Sequence, residues 1–222
     1  MNTLRWFGNV LASSIGRKAV MALTGLLLVG FLIAHLAGNL TLFADVEGAA
    51  FNAYAGKLLD LGPLLYVAEV GLVLLFGIHI YLAIRLTLDN REARRTGYVI
   101  RNDRGAKTLG SASMPVTGVL ILGYTILHLF DFRFDESFEE DGALLVRNTL
   151  SQPLHGVIYV IAAGVVGLHV SHGFQSAFQS LGWNHPRYMP LVKQISIGLA
   201  ALLAAGFAAL PLYFLFTGGA QS

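Results

Sequence analysis

Residues 19–44 read AVMALTGLLLVGFLIAHLAGNLTLFA, a run with no lysine, arginine, aspartate or glutamate. A helix that crosses a bilayer needs about 20 mostly apolar residues, and this run is longer than that. One side chain in it is out of keeping with a hydrocarbon environment: His35. An ionisable group at membrane depth is costly and is read as functional by default.

Four more such stretches follow. The first span lies between Lys18 and Asp45, and the second between Asp60 and Arg85 with one interior acid, Glu69. The third lies between Lys107 and Asp131, the fourth runs from Pro153 to about Leu181, and the fifth from about Gln194 to Phe216. Pro115, Pro153 and Pro190 each fall near an expected helix start, where proline is tolerated. Composition agrees: 55% of residues are hydrophobic and 13% charged, against about a quarter charged in soluble domains. With a mean hydropathy of +0.64, the chain reads as an all-α integral membrane protein. One five-transmembrane-helix bundle over 1–222 is the expected architecture. The first residues, MNTLRWFGNVLASSIGRK, carry apolar side chains at roughly helical spacing and predict a short interfacial helix rather than a signal peptide.

Charge sets the expected orientation. Arg5, Arg17, Lys18, Arg85, Arg91, Arg94, Arg95, Arg101, Arg104, Lys107, Arg187 and Lys193 collect on one side, and only Lys57, Arg133 and Arg147 on the other. The positive-inside rule then places the N-terminus in the cytoplasm and the C-terminus outside. The connection DFRFDESFEEDG reads as an acidic external loop, and the second-to-third connection as a basic cytoplasmic loop suited to a soluble partner. Because the basic residues flank membrane spans, the net charge of +2 does not point to nucleic acid.

Each of the first four spans carries a histidine: His35, His79, His128 and His169. At about 1.5 Å of rise per residue, His35 and His128 lie roughly 7 and 9 Å outward of the midplane, and His79 and His169 roughly 4–6 Å inward. The four thus form an outer and an inner pair, separated by about 12–14 Å. Two bis-histidine metal centres stacked across the membrane account for this pairing, and b-type haem fits best. The chain has no cysteine, so thioether-attached haem and cysteine-ligated clusters are excluded. Zinc is a weaker rival, since no His-Glu-x-x-His helix is present and no acid adjoins the four histidines in sequence. His172, three residues beyond His169, is an alternative ligand or a propionate partner, while His155 and His185 read as interfacial. Gly30, Gly38, Gly77, Gly118, Gly123, Gly164, Gly167 and Gly173 leave room for a flat macrocycle or serve ordinary helix packing.

The segments GFLIAHLAGNL, FNAYA, GIHIYLAIR, TGVLILGYTILHLFDF and HVSHGFQSAFQSLGW together resemble one family. It is the membrane-anchor cytochrome b subunit of succinate:quinone and quinol:fumarate oxidoreductases (complex II), in its single-chain, five-helix, dihaem type. The resemblance implies that His35 and His128 hold the distal haem, and His79 and His169 the proximal one. The family's His-x-Ser-x-Gly pattern is met by His169, Ser171 and Gly173, which favours His169 over His172. It implies two haem b groups and menaquinone. It also implies a flavoprotein and an iron–sulfur subunit on the cytoplasmic face of a prokaryotic cytoplasmic membrane, with higher oligomers of the whole complex open. Electrons are expected to pass from the iron–sulfur partner through the proximal and then the distal haem to quinone. Some fumarate reductases of this type carry a glutamate two residues before the fourth-span ligand. Here that position is Gly167, which tilts the expectation toward succinate dehydrogenase.

This chain has no nucleotide fingerprint, so dicarboxylate chemistry would belong to the flavoprotein. Ser14, Arg17, Lys18 and Arg85 lie at the cytoplasmic boundary and are candidates for haem propionates or a quinone head group; positive-inside anchoring explains them too. Asn39, Asn52, Tyr54, Lys57 and Glu69 are candidates for a distal quinone site. Trp6, Trp183 and Tyr188 read as interfacial belt residues. The rivals are the cytochrome b anchor of a hydrogenase or formate dehydrogenase, a histidine-based transporter, and an anchor that has lost its haem. No convincing inverted repeat supports the transporter.

Overall fold

A computed structural model describes residues 13–92 and 109–217. The expected N-terminal interfacial helix and the basic loop after the second span lie outside the described residues. The described chain is helical, and five of its helices are long and apolar enough to cross a membrane.

Helix α1 spans Ser14–Asn39 and continues as a 3₁₀ turn, Leu40–Phe43. Ser13 caps it, its hydroxyl accepting from the Gly16 N–H at 3.0 Å. Helix α2, Ala49–Leu59, is a short element between the first two spans. The Asp45 carboxylate accepts from the N–H groups of Ala50 and Ala49, both at 2.8 Å, and so satisfies the first turn of α2. Gly48, just before it, has φ +81°, and a Cβ there would strike Ala143. Helix α3 is Pro63–Glu92, α4 is Leu109–His128 and ends in a π-turn at Leu129–Arg133, α5 is Ser137–Ser151, α6 is Pro153–Ser180 and α7 is Met189–Thr217.

Two expectations are corrected. The DFRFDESFEEDG segment is not a loop. The π-turn and α5 occupy most of it, because the run after Asp141 is amphipathic and buries Ala143, Val146 and Leu150. Pro115 is not at a helix start but inside α4, which begins at Leu109. Pro153 and Pro190 do stand in the first turns of α6 and α7.

Helix α6 is central, packing against α1, α4 and α7, while α1 also holds α3. Small residues permit the closest approaches: a Cβ on Gly167 would meet Ala204 of α7, and one on Gly206 would meet Leu36 of α1. One core cluster joins Val29 and Leu36 of α1 to Val166 and Val170 of α6 and Leu203 of α7. A second seals the end where α2 and α5 lie, with Phe51, Ala55, Phe132, Ala143, Tyr159 and Phe214. In contrast, α3 buries only Leu82. Its exposed Val67, Val70, Val73 and Ile78, like Val116, Val119 and Ile126 of α4, present an apolar surface that suits lipid.

Candidate functional site

The outer level is built where α1, α4 and α6 meet. His35 stands four residues before the end of α1, and His128 is the last residue of α4. Their ring centroids are 5.8 Å apart and the rings are perpendicular. Phe31 and Phe207 flank His35, while Tyr124, Phe132 and Tyr159 surround His128. The Tyr159 hydroxyl donates to Asp131 Oδ2 at 2.7 Å and stands 3.5 Å from His128 Nδ1. His155 Nε2 is 3.5 Å from the other Asp131 oxygen. His155 is therefore half-buried beside a carboxylate rather than a simple interfacial residue, and its Nδ1 is buried without a hydrogen-bond partner among the described residues.

The inner level repeats one local device twice. On α1, the Thr24 hydroxyl sits 3.0 Å from the carbonyls of Val20 and Met21 and 3.1 Å from His79 Nδ1 on α3. On α4, the Thr117 hydroxyl sits 3.1 Å from the carbonyls of Ser113 and Met114 and 2.9 Å from His169 Nδ1 on α6. Both threonines are buried, 6% and 4% exposed. The residue after each is glycine: a Cβ on Gly25 would come to 3.3 Å from His79 Cε1, and one on Gly118 to 3.8 Å from His169 Cε1.

The glycines divide into two groups. Gly38 and Gly167 are packing positions, against Tyr54 and α7 respectively. Gly30, Gly77, Gly123 and Gly164 face open space, with nothing within 4 Å of an added Cβ. An apolar groove along the same stretch of α4 and α6 is lined by Ile121, Gly123, Tyr124, Leu127, Ala162 and Val165.

Among the boundary candidates, Arg17 pairs with Asp89 of α3 at 2.7 Å, tying the ends of α1 and α3 together. Ser14, Lys18 and Arg85 are exposed. On the opposite side the expected quinone residues do not converge on one partner. Asn39 donates to the His35 carbonyl at 2.8 Å. Asn52 clamps α2 to α5, donating to Asp141 at 2.8 Å and accepting from the Ala143 N–H at 2.9 Å. Tyr54 lies over Gly38, Lys57 is exposed, and Glu69 takes a two-pronged ion pair from Arg133 at 2.7 and 3.0 Å.

Sequence reading passed over Thr24, Thr117, Asp131 and Tyr159. A signal for the threonines does exist. Residues 24–35, TGLLLVGFLIAH, match residues 117–128, TGVLILGYTILH, in threonine, both glycines and the terminal histidine. Residues 63–80 and 153–170 likewise each open with Pro-Leu and close on Gly-x-His-x. The repeat is parallel rather than inverted, with α1 and α3 corresponding to α4 and α6.

No protein-family model, no curated protein and no solved structure matches this chain.

Proposed function

We propose that this chain is the membrane anchor of a succinate dehydrogenase, a succinate:menaquinone oxidoreductase, binding two b haems. His35 and His128 would hold one iron, His79 and His169 the other. The observation that carries the reading is the meeting of His35 and His128, from separate spans, inside the bundle. Metal–imidazole bonds of about 2.0–2.1 Å set two rings on opposite sides of one metal with centroids roughly 6 Å apart; the observed value is 5.8 Å. Among the described residues, no three His, Asp or Glu side chains converge as a zinc site needs. The apolar groove along α4 and α6, which Gly123 and Tyr124 line, supports room for a macrocycle.

Haem, when bound, supplies one-electron transfer, with potential tuned by its axial ligands and their hydrogen bonds. The chain's residues do the holding. Aromatic rings wall the outer histidines, and Thr24 and Thr117 engage one ring nitrogen of each inner histidine, leaving Nε2 for metal. Flavoprotein and iron–sulfur subunits would dock on the cytoplasmic face, where the arginines gather. The test is a reduced-minus-oxidised visible spectrum with a haem count on the purified complex. Two haems per chain, reducible by succinate, are expected. A preparation with no Soret band rules the reading out, and haem that responds to hydrogen or formate but not succinate moves the chain to another respiratory complex.

A further inference from the structure

The inner histidines differ from the outer ones in what holds their second nitrogen. A threonine hydroxyl has one proton and two lone pairs. Thr24 sits 3.0 Å from two carbonyls of the preceding turn, and Thr117 sits 3.1 Å from its own two. With Nε2 bound to a metal, Nδ1 carries the ring's proton, so the hydroxyl facing it at 3.1 or 2.9 Å accepts that proton and gives its own to a carbonyl of its own helix.

A buried threonine that bonds its own helix is ordinary, and a single histidine nearby would mean little. Here the arrangement occurs twice, across different helix pairs and at equivalent places in an internal repeat. In both copies a glycine follows the threonine beside the ring, and at Gly25 an added Cβ would crowd it at 3.3 Å. Thr24 is eleven residues before His35 and Thr117 eleven before His128, so each half carries its outer ligand and the support for its inner ligand on one helix.

We propose that Thr24 and Thr117 are positioning residues that fix His79 and His169 as Nδ1–H tautomers, aim Nε2 at the inner iron, and set that iron's potential apart from the outer one. The inference rests on the dihaem reading above. Metal-bound histidines that donate their other N–H to an acceptor are better electron donors, which favours the oxidised metal. At the outer level the Tyr159 hydroxyl stands at the long distance of 3.5 Å from His128 Nδ1, so the same support is weaker there.

The experiment uses the assembled complex. Haem content of the parent protein is measured first, then the midpoint potential of each haem in Thr24→Val, Thr117→Val and the two Thr→Ser variants. Each valine variant is expected to raise the inner haem's potential with the outer unmoved, or to release the inner haem alone. Each serine variant should restore the parent value. A tenfold loss of preference for oxidised iron corresponds to about 59 mV for one electron. Where a valine variant fails to assemble, redox-difference infrared spectra of the parent complex with ¹⁵N-labelled histidine read the Nδ1–H bond directly, and hydrogen-bonded ligand bands are expected. A parent protein without haem overturns the dihaem reading itself. Two haems with unmoved potentials in the valine variants, equal shifts at both haems, or ligand bands of an unbonded Nδ1–H overturn the role of the threonines alone.

Discussion

At the scale of single residues the four histidines are not equivalent in their surroundings, and this makes their loss separable. His35 and His128 face each other within an aromatic wall, so under the proposed dihaem reading replacing either by alanine would remove one ligand of the outer haem and leave the inner pair untouched. His35→Ala and His128→Ala should each yield a complex with one haem per chain instead of two, read by pyridine haemochrome. His169 and His172 are both half-buried, but only His169 has a threonine on its Nδ1. His169→Ala should therefore lose the inner haem and His172→Ala should keep it; the reverse result reassigns the ligand. The histidines were legible because charge or ionisability in a hydrocarbon run stands out in the sequence. The threonines were not, because a hydroxyl that satisfies itself on its own helix leaves no mark in hydropathy, and only the repeat betrays them.

At the scale of elements, the five spans were readable because hydrocarbon thickness imposes length and polarity on each. The short helices α2 and α5 were not, since water-facing connections carry no such constraint. Their positions depend on side-chain contacts between segments distant in the chain, above all Asn52 with Asp141. Those contacts make a testable pair. The Asn52 amide, followed by the Leu144 N–H, holds the Asp141 carboxyl below the ordinary carboxylate range. A carboxyl more acidic folded than unfolded adds stability above its unfolded pKa of about 3.9 and loses it as pH falls through the folded value. Asp141 is largely solvated, so screening keeps the effect small. Asn52→Ala should lower thermal stability in detergent by about 1 kcal/mol or less at neutral pH. The gap to the parent should narrow once the carboxyl is protonated in both, and a gap that stays constant into acid would count against this pairing. Between spans, Gly167 lies against Ala204 and the Ala200 carbonyl of α7. Gly167→Val should push α6 from α7 and cost about 1–3 kcal/mol by overpacking, whereas Gly164→Ala, facing open space, should be tolerated. Equal melting temperatures for the two variants would remove the close approach from the account.

At the scale of the whole molecule, the five spans fix an odd number of crossings, so the two ends of the described chain lie on opposite sides of any membrane they cross. Which end lies inside is a matter of charge. The side of the inner histidines carries Arg17, Lys18, Arg85, Arg91, Arg187 and Lys193, while α2 and α5 on the other side carry Lys57 and Arg147 among several acids. Basic residues are retained in the cytoplasm during insertion, so an inverted chain would have to carry most of its arginines across. The parent sequence contains no cysteine, so a single introduced thiol reports its own side without background. Lys57→Cys, exposed on α2, should react with a membrane-impermeant maleimide in intact cells or right-side-out vesicles. Arg91→Cys, exposed at the far end of α3, should react only after permeabilisation. The opposite pattern would put the inner pair of histidines at the outer face. The proposed flavoprotein and iron–sulfur subunits would then have to dock on the side where acidic α5 lies, and the proposed reading as a cytoplasmic succinate dehydrogenase would no longer fit the chain.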